Sequence, residues 1–437
     1  MARARPIRLS TRVRRHIALL GGTTTLGDCL VALRHLLDPR HLTRGPAIKA
    51  YEREFARQVG VRYAYSFSSG RIGLFGVLRA LQIGPGDEVL LQVPTHIVVA
   101  NAIRFTGARP VYVDCRLDSY NIDLEDAARK ITPRTRALLL QHTFGIPVDL
   151  DAALALAREH HLEVIEDCVH ALGATYKGKP VGSFGRAAFF STEETKTISS
   201  TMGGVLVTDD PDLATRVGDF QAACPWPPAP MTRRNLVKLA LYYVLMHPWI
   251  HGPMRALYER VGERHPLPRP LGLEEARGVR PAVYEQRLSN AQAAVALRQL
   301  RRLDRNLAHR REVSATVDRW LTARGYARPT APAGSVPAMV RYPLWVEDRA
   351  AAVAATRREL VLGTWFRSVL EDSAAPVHGD YQAGSCARAE AAARHLINLP
   401  THGRISARDA ERVLATVGGD GTNTLSRVEA FAAGRSY

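Results

Sequence analysis

The sequence predicts an α/β protein with a three-layer, doubly wound large domain, whose sheet is mainly parallel, and a smaller C-terminal α/β domain. A chain of 437 residues is too long for one compact core. Between residues 60 and 210, short apolar runs alternate with stretches in which apolar residues recur at helical spacing. Strands separated by crossover helices form parallel sheets, and their ligand site lies outside the carboxyl ends of the strands.

Each element follows from its own local pattern. Short apolar runs bounded by turn residues predict strands at 63–69, 88–93, 109–115, 136–142, 162–167, 187–191 and 203–208. Helical spacing between them predicts helices at 71–83, 97–105, 123–131 and 150–160. The composition changes after Cys224, and further along we expect a long helix over 284–313, a strand over 340–346 and a helix over 407–417.

These patterns divide the chain into six segments. They are a basic N-terminal segment (1–40), a large cofactor-binding domain (41–225), an apolar and basic insert (226–270), a long linking helix region (271–313), a small C-terminal domain (314–417) and a flexible tail (418–437). Within the insert, residues 233–262 are apolar, aromatic and basic together, but too interrupted to span a bilayer. This stretch either lies in the plane of a membrane surface or packs its apolar face into the core as a lid or subunit contact.

The chain is strongly basic, with 59 arginine and lysine residues against 42 acidic ones and a formal charge of +17. An anionic small substrate, an acidic membrane surface or an arginine-rich proteome each explains this excess, and the absence of a nucleic-acid-binding motif argues against nucleic acid. The five cysteines lack the CxxC spacing of zinc sites and disulfide frameworks. We therefore expect no metal and a cytoplasmic protein, with membrane association through 233–262 as an alternative.

Polar residues follow three of the predicted strands. Ser69 and Gly70 lie between a strand and the first turn of a helix, where free N–H groups favour a phosphate. Asp167 ends an apolar strand, where a buried carboxylate needs a partner. Ser191 ends another strand, five residues before Lys196, which is one of only six lysines. Each residue alone also fits a helix cap or a solvated loop. Together they match what pyridoxal phosphate requires for its phosphate, its pyridine nitrogen and its aldehyde.

The order and spacing of these motifs resemble the DegT/StrS family of sugar aminotransferases, which are pyridoxal phosphate enzymes of fold type I. The resemblance runs from about residue 42 to 417 and is broken by 225–270. It is carried by the Lys196-to-Gly203-Gly204 spacing and by RGPAIKAYEREFARQVGVRYAYSFSSG, GARPVYVDC, HTFGIPVDLD, VIEDCVHALGATYKGKPVGSFG, YEQRLSNAQAAVALRQL and CARAEAAARHLINLPTHGRISARDAERV.

The resemblance implies a role for each candidate site residue. Lys196 is the catalytic amine that binds the cofactor covalently and transfers protons, and Asp167 is the carboxylate that pairs with the pyridine nitrogen. Further cofactor contacts are implied for Ser69, Gly70, Arg71, His96, His170 and Ser191. Arg71 replaces the family's usual threonine, and Glu193-Glu194 replaces its usual His-Pro. These departures cluster where the substrate and the second subunit normally meet.

The resemblance also implies a homodimeric aminotransferase that moves an amino group, with glutamate as the expected donor, to a keto group of a nucleotide-linked sugar. Such enzymes serve amino-sugar biosynthesis for polysaccharides or antibiotics. Family members whose lysine is replaced by histidine are dehydratases and deoxygenating enzymes, so Lys196 favours aminotransfer. The alternatives are a cyclitol or lipid-linked ketone as the substrate, or a membrane-recruited paralogue that binds the cofactor without catalysis.

Overall fold

The computed structural model describes residues 15–261, 272–419 and 424–426. Residues 1–14 of the predicted N-terminal segment, the end of the insert and most of the predicted flexible tail therefore lie outside the described residues. The strands are β1 (Tyr63–Phe67), β2 (Glu88–Gln92), β3 (Thr95–His96), β4 (Arg109–Val113), β5 (Thr135–Gln141), β6 (Glu163–Asp167), β7 (Thr175–Tyr176), β8 (Lys179–Pro180), β9 (Ala187–Ser191), β10 (Gly204–Thr208), β11 (Ser335–Val336), β12 (Arg341–Trp345), β13 (Leu370–Glu371) and β14 (Leu396–Pro400).

Fifteen helices are described. They are α1 (Leu26–Leu37), α2 (Ala47–Val59), α3 (Gly70–Ala80), α4 (Ile97–Arg104), α5 (Leu124–Lys130), α6 (Leu150–Glu159), α7 (Pro211–Ala223), α8 (Ala229–Leu245), α9 (Pro248–Val261), α10 (Leu273–Ala276), α11 (Asn290–Leu300), α12 (Leu303–Thr322), α13 (Arg349–Thr356), α14 (Ala387–His395) and α15 (Ala407–Gly418). Every helix and strand predicted between residues 63 and 208 is present, close to its predicted bounds.

The large sheet has seven strands in the order β1-β10-β9-β6-β5-β2-β4. The strands β9, β6, β5, β2 and β4 pair in parallel, whereas β10 is antiparallel to both of its neighbours. Six strands therefore run in one direction, and their carboxyl ends meet at one edge of the sheet. The predicted mainly parallel sheet is confirmed.

Both faces of this sheet are buried, which gives the predicted three layers. Alternate residues of β5 enter different apolar clusters: Leu139 faces the cluster that α3, α4 and α7 cover, and Leu138 and Leu140 face the cluster that α2, α6 and α11 cover. This two-residue period is the geometry of a pleated strand with helices packed on both sides. The apolar runs of the sequence therefore belong to a sheet enclosed by helices.

The long helix predicted over 284–313 is wrong in its extent, because the structure forms two helices there. The side chain of Ser289 caps α11 by accepting a hydrogen bond from the Gln292 N–H, and the residues before it are not helical. Between α11 and α12, Arg302 leaves the helical region at φ −111° and ψ 13°. At this break its guanidinium pairs with Asp28 at 2.7 Å, a contact between residues far apart in sequence.

The C-terminal part of the chain has its own apolar cluster. The antiparallel pair β12–β14 packs with α12, α13 and α15 in this cluster. Ile17 joins it from the N-terminal segment, through a parallel bridge to Leu360. The N-terminal segment therefore crosses to the C-terminal part before α1 begins.

The insert contributes α8 and α9, and α8 buries one side while exposing the other. Leu236 and Leu239 pack with Ala32 of α1 and Val295 of α11. The opposite face of α8 remains exposed, as does a row of four leucines on the neighbouring α1. In the described part of the chain, no helix combines the length and the apolar character needed to cross a bilayer.

Candidate active site

The candidate site residues lie at the carboxyl edge of the sheet, where parallel strands bring their ends together. Asp167 is the last residue of β6 and Ser191 the last of β9, while Ser69 is the N-cap of α3 directly after β1. A Cβ on Gly70 would lie 2.9 Å from the Phe190 carbonyl oxygen and 3.5 Å from the Ser191 Cβ. The turn at α3 therefore packs against the end of β9 so closely that Gly70 must be glycine.

Two adjacent acids at the end of β6 have opposite environments. Burial alone would raise the pKa of Glu166, but hydrogen bonds from His142 and from the backbone N–H groups of Gly182 and Gly185 lower it. Burial raises the pKa of Asp167 to about 6, although the Val169 N–H and the charge of Lys196 oppose that rise. Glu166 is thus a carboxylate with a lowered pKa that is held by internal hydrogen bonds, whereas Asp167 has a raised pKa and can change its charge more easily.

Asp167 also has an unfilled hydrogen-bonding position. Its Oδ1 accepts the Val169 N–H at 3.1 Å, while its Oδ2 is buried and has no partner among the described residues. The Ser69 Oγ, at the N-terminus of α3, is also buried and has no partner among the described residues. Buried polar atoms are rarely left without a partner, so each of these two atoms is a candidate contact for a ligand.

Lys196 lies in the loop between β9 and β10, with its Nζ 4.4 Å from the centre of the Trp365 ring. Burial lowers the pKa of its amine to about 8, and the nearby cation Arg341 lowers it further, while Glu193 and Asp167 oppose the shift. Lys196 and Asp167 thus act on each other electrostatically. An amine with this pKa is partly neutral near neutral pH, and only the neutral form is a nucleophile.

Trp365 lies at the centre of the site, although no sequence motif pointed to it. Its ring stacks on His170 at 4.7 Å between centroids, and the Arg341 Cζ lies 3.7 Å from its centroid. Burial, followed by the charges of Lys196, Arg341 and His96, lowers the pKa of His170 well below its usual value. His170 is therefore neutral, and its ring belongs to the same cluster as Lys196.

The lysine loop is fastened to α11 and α12 by side-chain amides. Gln299 accepts a hydrogen bond from the Ser199 N–H at 2.8 Å and donates one to the Ser199 carbonyl at 2.7 Å. Gln292 donates to the Ser200 and Met202 carbonyls, and Asn306 donates to the Thr197 carbonyl. The motif around 284–300 therefore holds the loop that carries Lys196.

Arg71 and His96 each face an acid that the sequence did not indicate. The Arg71 Nε lies 2.8 Å from the Glu275 Oε1, and the His96 Nε2 lies 3.2 Å from the Asp372 Oδ2. His96 is at the end of β3, which pairs with β13 next to Asp372. An acidic partner far away in the sequence therefore orients each of these two residues.

A lysine of the insert compensates part of the negative charge of Glu193 and Glu194, which lie beside Lys196. The Lys238 Nζ on α8 donates to the Glu194 Oε1 at 2.7 Å. Burial raises the pKa of Glu194 to about 7, the charge of Glu193 adds to that rise, and Lys238 counteracts it. The two departures from the resembled family, an acidic lysine loop and an added helix, are therefore physically connected.

A parallel sheet with a buried carboxylate at the end of a central strand, and a lysine in the loop after the neighbouring strand, is the arrangement of fold type I aminotransferases. The pattern of the DegT/DnrJ/EryC1/StrS aminotransferase family matches residues 27–226 and 264–418. The chain belongs to this family and is an aminotransferase.

Individual relatives agree with that assignment. The chain is 31% identical over 379 residues to GDP-perosamine synthase of Caulobacter vibrioides, covering 85% of this chain and 90% of that protein. It superposes on DesV of S. venezuelae with a TM-score of 0.69 and 28% identity, covering 90% of this chain and 93% of DesV. The Helicobacter pylori PseC aminotransferase, involved in pseudoaminic acid biosynthesis, shares the fold with a TM-score of 0.72, at 20% identity and with 92% and 98% of the two chains covered.

Lys238→Met is expected to destabilise the protein by about 1–3 kcal/mol, because it leaves Glu194 beside Glu193 without its cation. A double-mutant cycle of urea unfolding midpoints with Glu194→Gln measures the coupling of the pair. The double variant should recover most of the loss, and Lys179→Met, at an exposed lysine, serves as the control. Additive losses in the cycle would show that the pair does not hold the loop.

Proposed function

We propose that the chain transfers an amino group from glutamate to the keto group of a nucleotide-linked sugar, with pyridoxal phosphate as its cofactor. The observation that carries this proposal is the buried, unpaired Oδ2 of Asp167 in the electrostatic field of the Lys196 amine. The relative named GDP-perosamine synthase supports a nucleotide-linked sugar. Five free cysteines suit a reducing compartment, and we place the reaction in the cytoplasm.

The residues of the site fit pyridoxal phosphate. The Asp167 Oδ2 has no partner and could accept a hydrogen bond from a protonated ring nitrogen, and the unpaired Ser69 Oγ could bind a phosphate oxygen at the N-terminus of α3. The Lys196 amine, with its lowered pKa, is suited to an aldehyde. When bound, the cofactor would supply an electron sink for the substrate carbon. Gly70, Arg71, His96, His170 and Ser191 would complete its surroundings.

The side chains of the chain itself then have distinct tasks. The ionised Asp167 carboxylate would stabilise a cationic group placed next to it. The Lys196 Nζ would accept and donate the proton that is transferred. His170 and Trp365 form an aromatic surface next to that amine. The tight packing of the lysine loop against α11 keeps the Nζ in place while the proton is transferred.

Arg341 gives the site a receptor for an acidic amino donor. The residue is buried on β12, and it forms no salt bridge with the described residues, although the charges of Glu193 and Glu371 act on it from a greater distance. Burial lowers the pKa of its guanidinium to about 10, which leaves it charged at neutral pH. A buried cation without an acidic partner favours a ligand carboxylate, which is present in glutamate.

An assay with paired substrates tests the function. The purified protein, loaded with pyridoxal phosphate, is given glutamate together with GDP-, UDP- or dTDP-linked keto sugars, cyclic ketones or a lipid-linked keto sugar. We expect 2-oxoglutarate and an aminated nucleotide sugar, detected by mass spectrometry. Amination of only the cyclic or lipid-linked ketone would contradict the nucleotide-linked substrate, and failure to convert glutamate would contradict catalysis by this chain.

We propose that the functional unit is a homodimer that buries the exposed row of leucines on α1. Leu26, Leu30, Leu33 and Leu37 are 57%, 56%, 48% and 77% exposed. The exposed apolar residues of the neighbouring α8 extend this surface. The four leucines form an uncharged strip along one helix, and interface cores are depleted of charge. A second copy therefore suits this uncharged strip better than an acidic membrane surface, which binds basic faces.

Leu30→Glu/Leu33→Glu is expected to weaken the dimer by roughly 100-fold or more, because a charged group is costly to bury at an interface. Light scattering measures the mass of the wild type and the variant over a range of concentrations. Val377→Glu, at another exposed apolar residue, is the control and should leave the mass unchanged. A monomeric wild type that co-sediments with anionic vesicles through these leucines would overturn the dimer and identify a membrane surface.

A further inference from the structure

A large cavity opens beside the lysine loop, and four arginines dominate its wall. It has a volume of about 850 Å³ and lies between the start of α1, the junction of α8 and α9, and the exposed side of α12. We call it the arginine cleft, after Arg15, Arg302, Arg305 and Arg404. Its volume is in the range of pockets that hold small ligands.

The charges of the arginine cleft do not cancel. Arg15 pairs with Asp409 at 2.8 Å, and Arg302 pairs with Asp28 at 2.7 Å. Arg305 and Arg404 have no carboxylate within salt-bridge distance among the described residues. Two of the four cations therefore remain without an acidic partner inside one cavity.

Two guanidinium groups also have unused donors. The Arg302 Nε and the Arg404 Nη1 are buried without a hydrogen-bond partner in the described part of the chain. Arg404 is fixed in place through its Nη2, which donates to the Tyr243 carbonyl at 2.8 Å. An unused guanidinium donor can form a charge-assisted hydrogen bond to a phosphate oxygen. The chemistry of the cleft is therefore that of a site for a phosphate or diphosphate group.

The arginine cleft adjoins the catalytic amine. Gly22 and Thr23 line both this cavity and the narrow cavity that contains Lys196 and Arg341. The two cavities therefore share part of a wall, and a ligand in the cleft lies next to the cavity of Lys196. A keto sugar attached to a diphosphate has this arrangement of a reactive carbon and a distant anion.

Aromatic residues at the α8–α9 junction offer a place for a nucleobase. Tyr243 and Trp249 line the same cavity, and Trp249 is 54% exposed. Stacking on an aromatic side chain contributes about 1–3 kcal/mol per base. Both residues lie in the insert, between the two matched ranges that end at 226 and resume at 264. This wall of the cavity is therefore an addition of this chain to the family's pattern.

We propose that the arginine cleft binds the diphosphate of the nucleotide-linked substrate, and that the insert forms the wall that holds its base. This inference rests on the proposed function and deepens it. It assigns the insert to substrate binding. It also explains part of the excess of basic residues, because these arginines would bind the phosphates of the substrate. The same diphosphate chemistry also occurs in lipid-linked sugars, and the aromatic rim favours the nucleotide.

Calorimetric titration of the cofactor-loaded protein with UDP, GDP and dTDP tests the site, with inorganic pyrophosphate and farnesyl diphosphate as comparison ligands. Arg305→Ala should weaken the best nucleoside diphosphate by about tenfold or more, the loss of one charge-assisted contact. Trp249→Ala should weaken the nucleoside diphosphate and leave pyrophosphate unchanged. Arg53→Ala, at an exposed arginine of α2 outside the cleft, is the control.

The proposal is overturned if both cleft variants bind nucleoside diphosphates as the wild type does, or if farnesyl diphosphate binds more tightly than every nucleotide. The conversion of glutamate to 2-oxoglutarate does not involve the cleft and should proceed normally in both variants. If that half-reaction occurs but the cleft variants bind normally, the cleft assignment fails and the proposed function stands. If nucleotide binding depends on Arg305 but glutamate is not converted, the proposed function fails and the binding site stands.

Discussion

Replacement of Lys196 by alanine is expected to abolish amino transfer, lowering the rate of the glutamate half-reaction by about 10⁴-fold or more. General acid–base catalysis by a positioned group contributes about 10²–10⁴-fold, and loss of the covalent attachment adds to this. No neighbouring amine replaces Lys196, since Lys238 is paired with Glu194. The expected loss is therefore larger than that from any other single substitution in the site.

Single-turnover kinetics with glutamate measure this loss, and borohydride reduction followed by peptide mass mapping identifies the lysine that carries the cofactor. Lys179→Ala, at an exposed lysine, is the control and should be reduced and labelled at Lys196 like the wild type. A label at another lysine in the wild type would remove Lys196 from its role.

The stability of the cofactor-free protein as a function of pH tests the Lys196 amine independently of activity. The pKa of Lys196 in the folded protein is about 8, below the ordinary value of 10.5, so the folded state binds its proton less tightly than the unfolded state. The amine therefore disfavours folding at neutral pH, and this penalty disappears as the pH rises from about 8 to 10.5. Wild-type protein should gain stability relative to Lys196→Ala over this window, measured by thermal melting.

The convergence of Ser69, Asp167, Ser191 and Lys196 could be predicted because it follows from chain direction alone. Each residue follows a strand, and parallel strands bring their carboxyl ends to the same edge. The strands could be predicted from the sequence because their apolar runs are short and bounded by turn residues. Local sequence was therefore sufficient for the sheet and for the frame of the site.

The partners of these residues could not be predicted, because they are supplied by distant parts of the chain. Glu275 and Asp372 follow Arg71 and His96 by about two hundred residues or more in sequence, and Trp365 enters from the C-terminal part. No periodicity connects such positions, since only the closed fold brings them together. The break in the predicted long helix has a similar origin, because Arg302 turns where it meets Asp28 of α1.

Asp167→Asn is expected to slow both half-reactions by about 10²–10⁴-fold while leaving the fold intact. The substitution keeps the shape of the side chain and its acceptor for the Val169 N–H, but removes the charge that would hold a protonated ring nitrogen. Breaking a buried charge pair by removing one partner costs about 3–5 kcal/mol, which corresponds to this range of rates. The variant should also bind the cofactor more weakly, as absorbance titration measures.

The pH dependence of the cofactor-free protein separates this role from a structural one. The pKa of Asp167 in the folded protein is about 6, above the ordinary 3.8, so its protonated form favours folding. That contribution is fully present below pH 3.8 and is lost as the pH rises to about 6. Thermal melts across this window should show the loss in the wild type but not in Asp167→Asn.

Glu166→Gln is the matched comparison, because it alters the neighbouring carboxylate, whose hydrogen bonds are all internal. It should lower stability by about 1–3 kcal/mol through lost acceptors and retain the loss of stability between pH 3.8 and 6. Equal rates for Asp167→Asn and the wild type would contradict the assignment of Asp167. If Asp167→Asn keeps the wild-type pH dependence of stability, another buried acid holds the proton, and the raised pKa assigned to Asp167 is wrong.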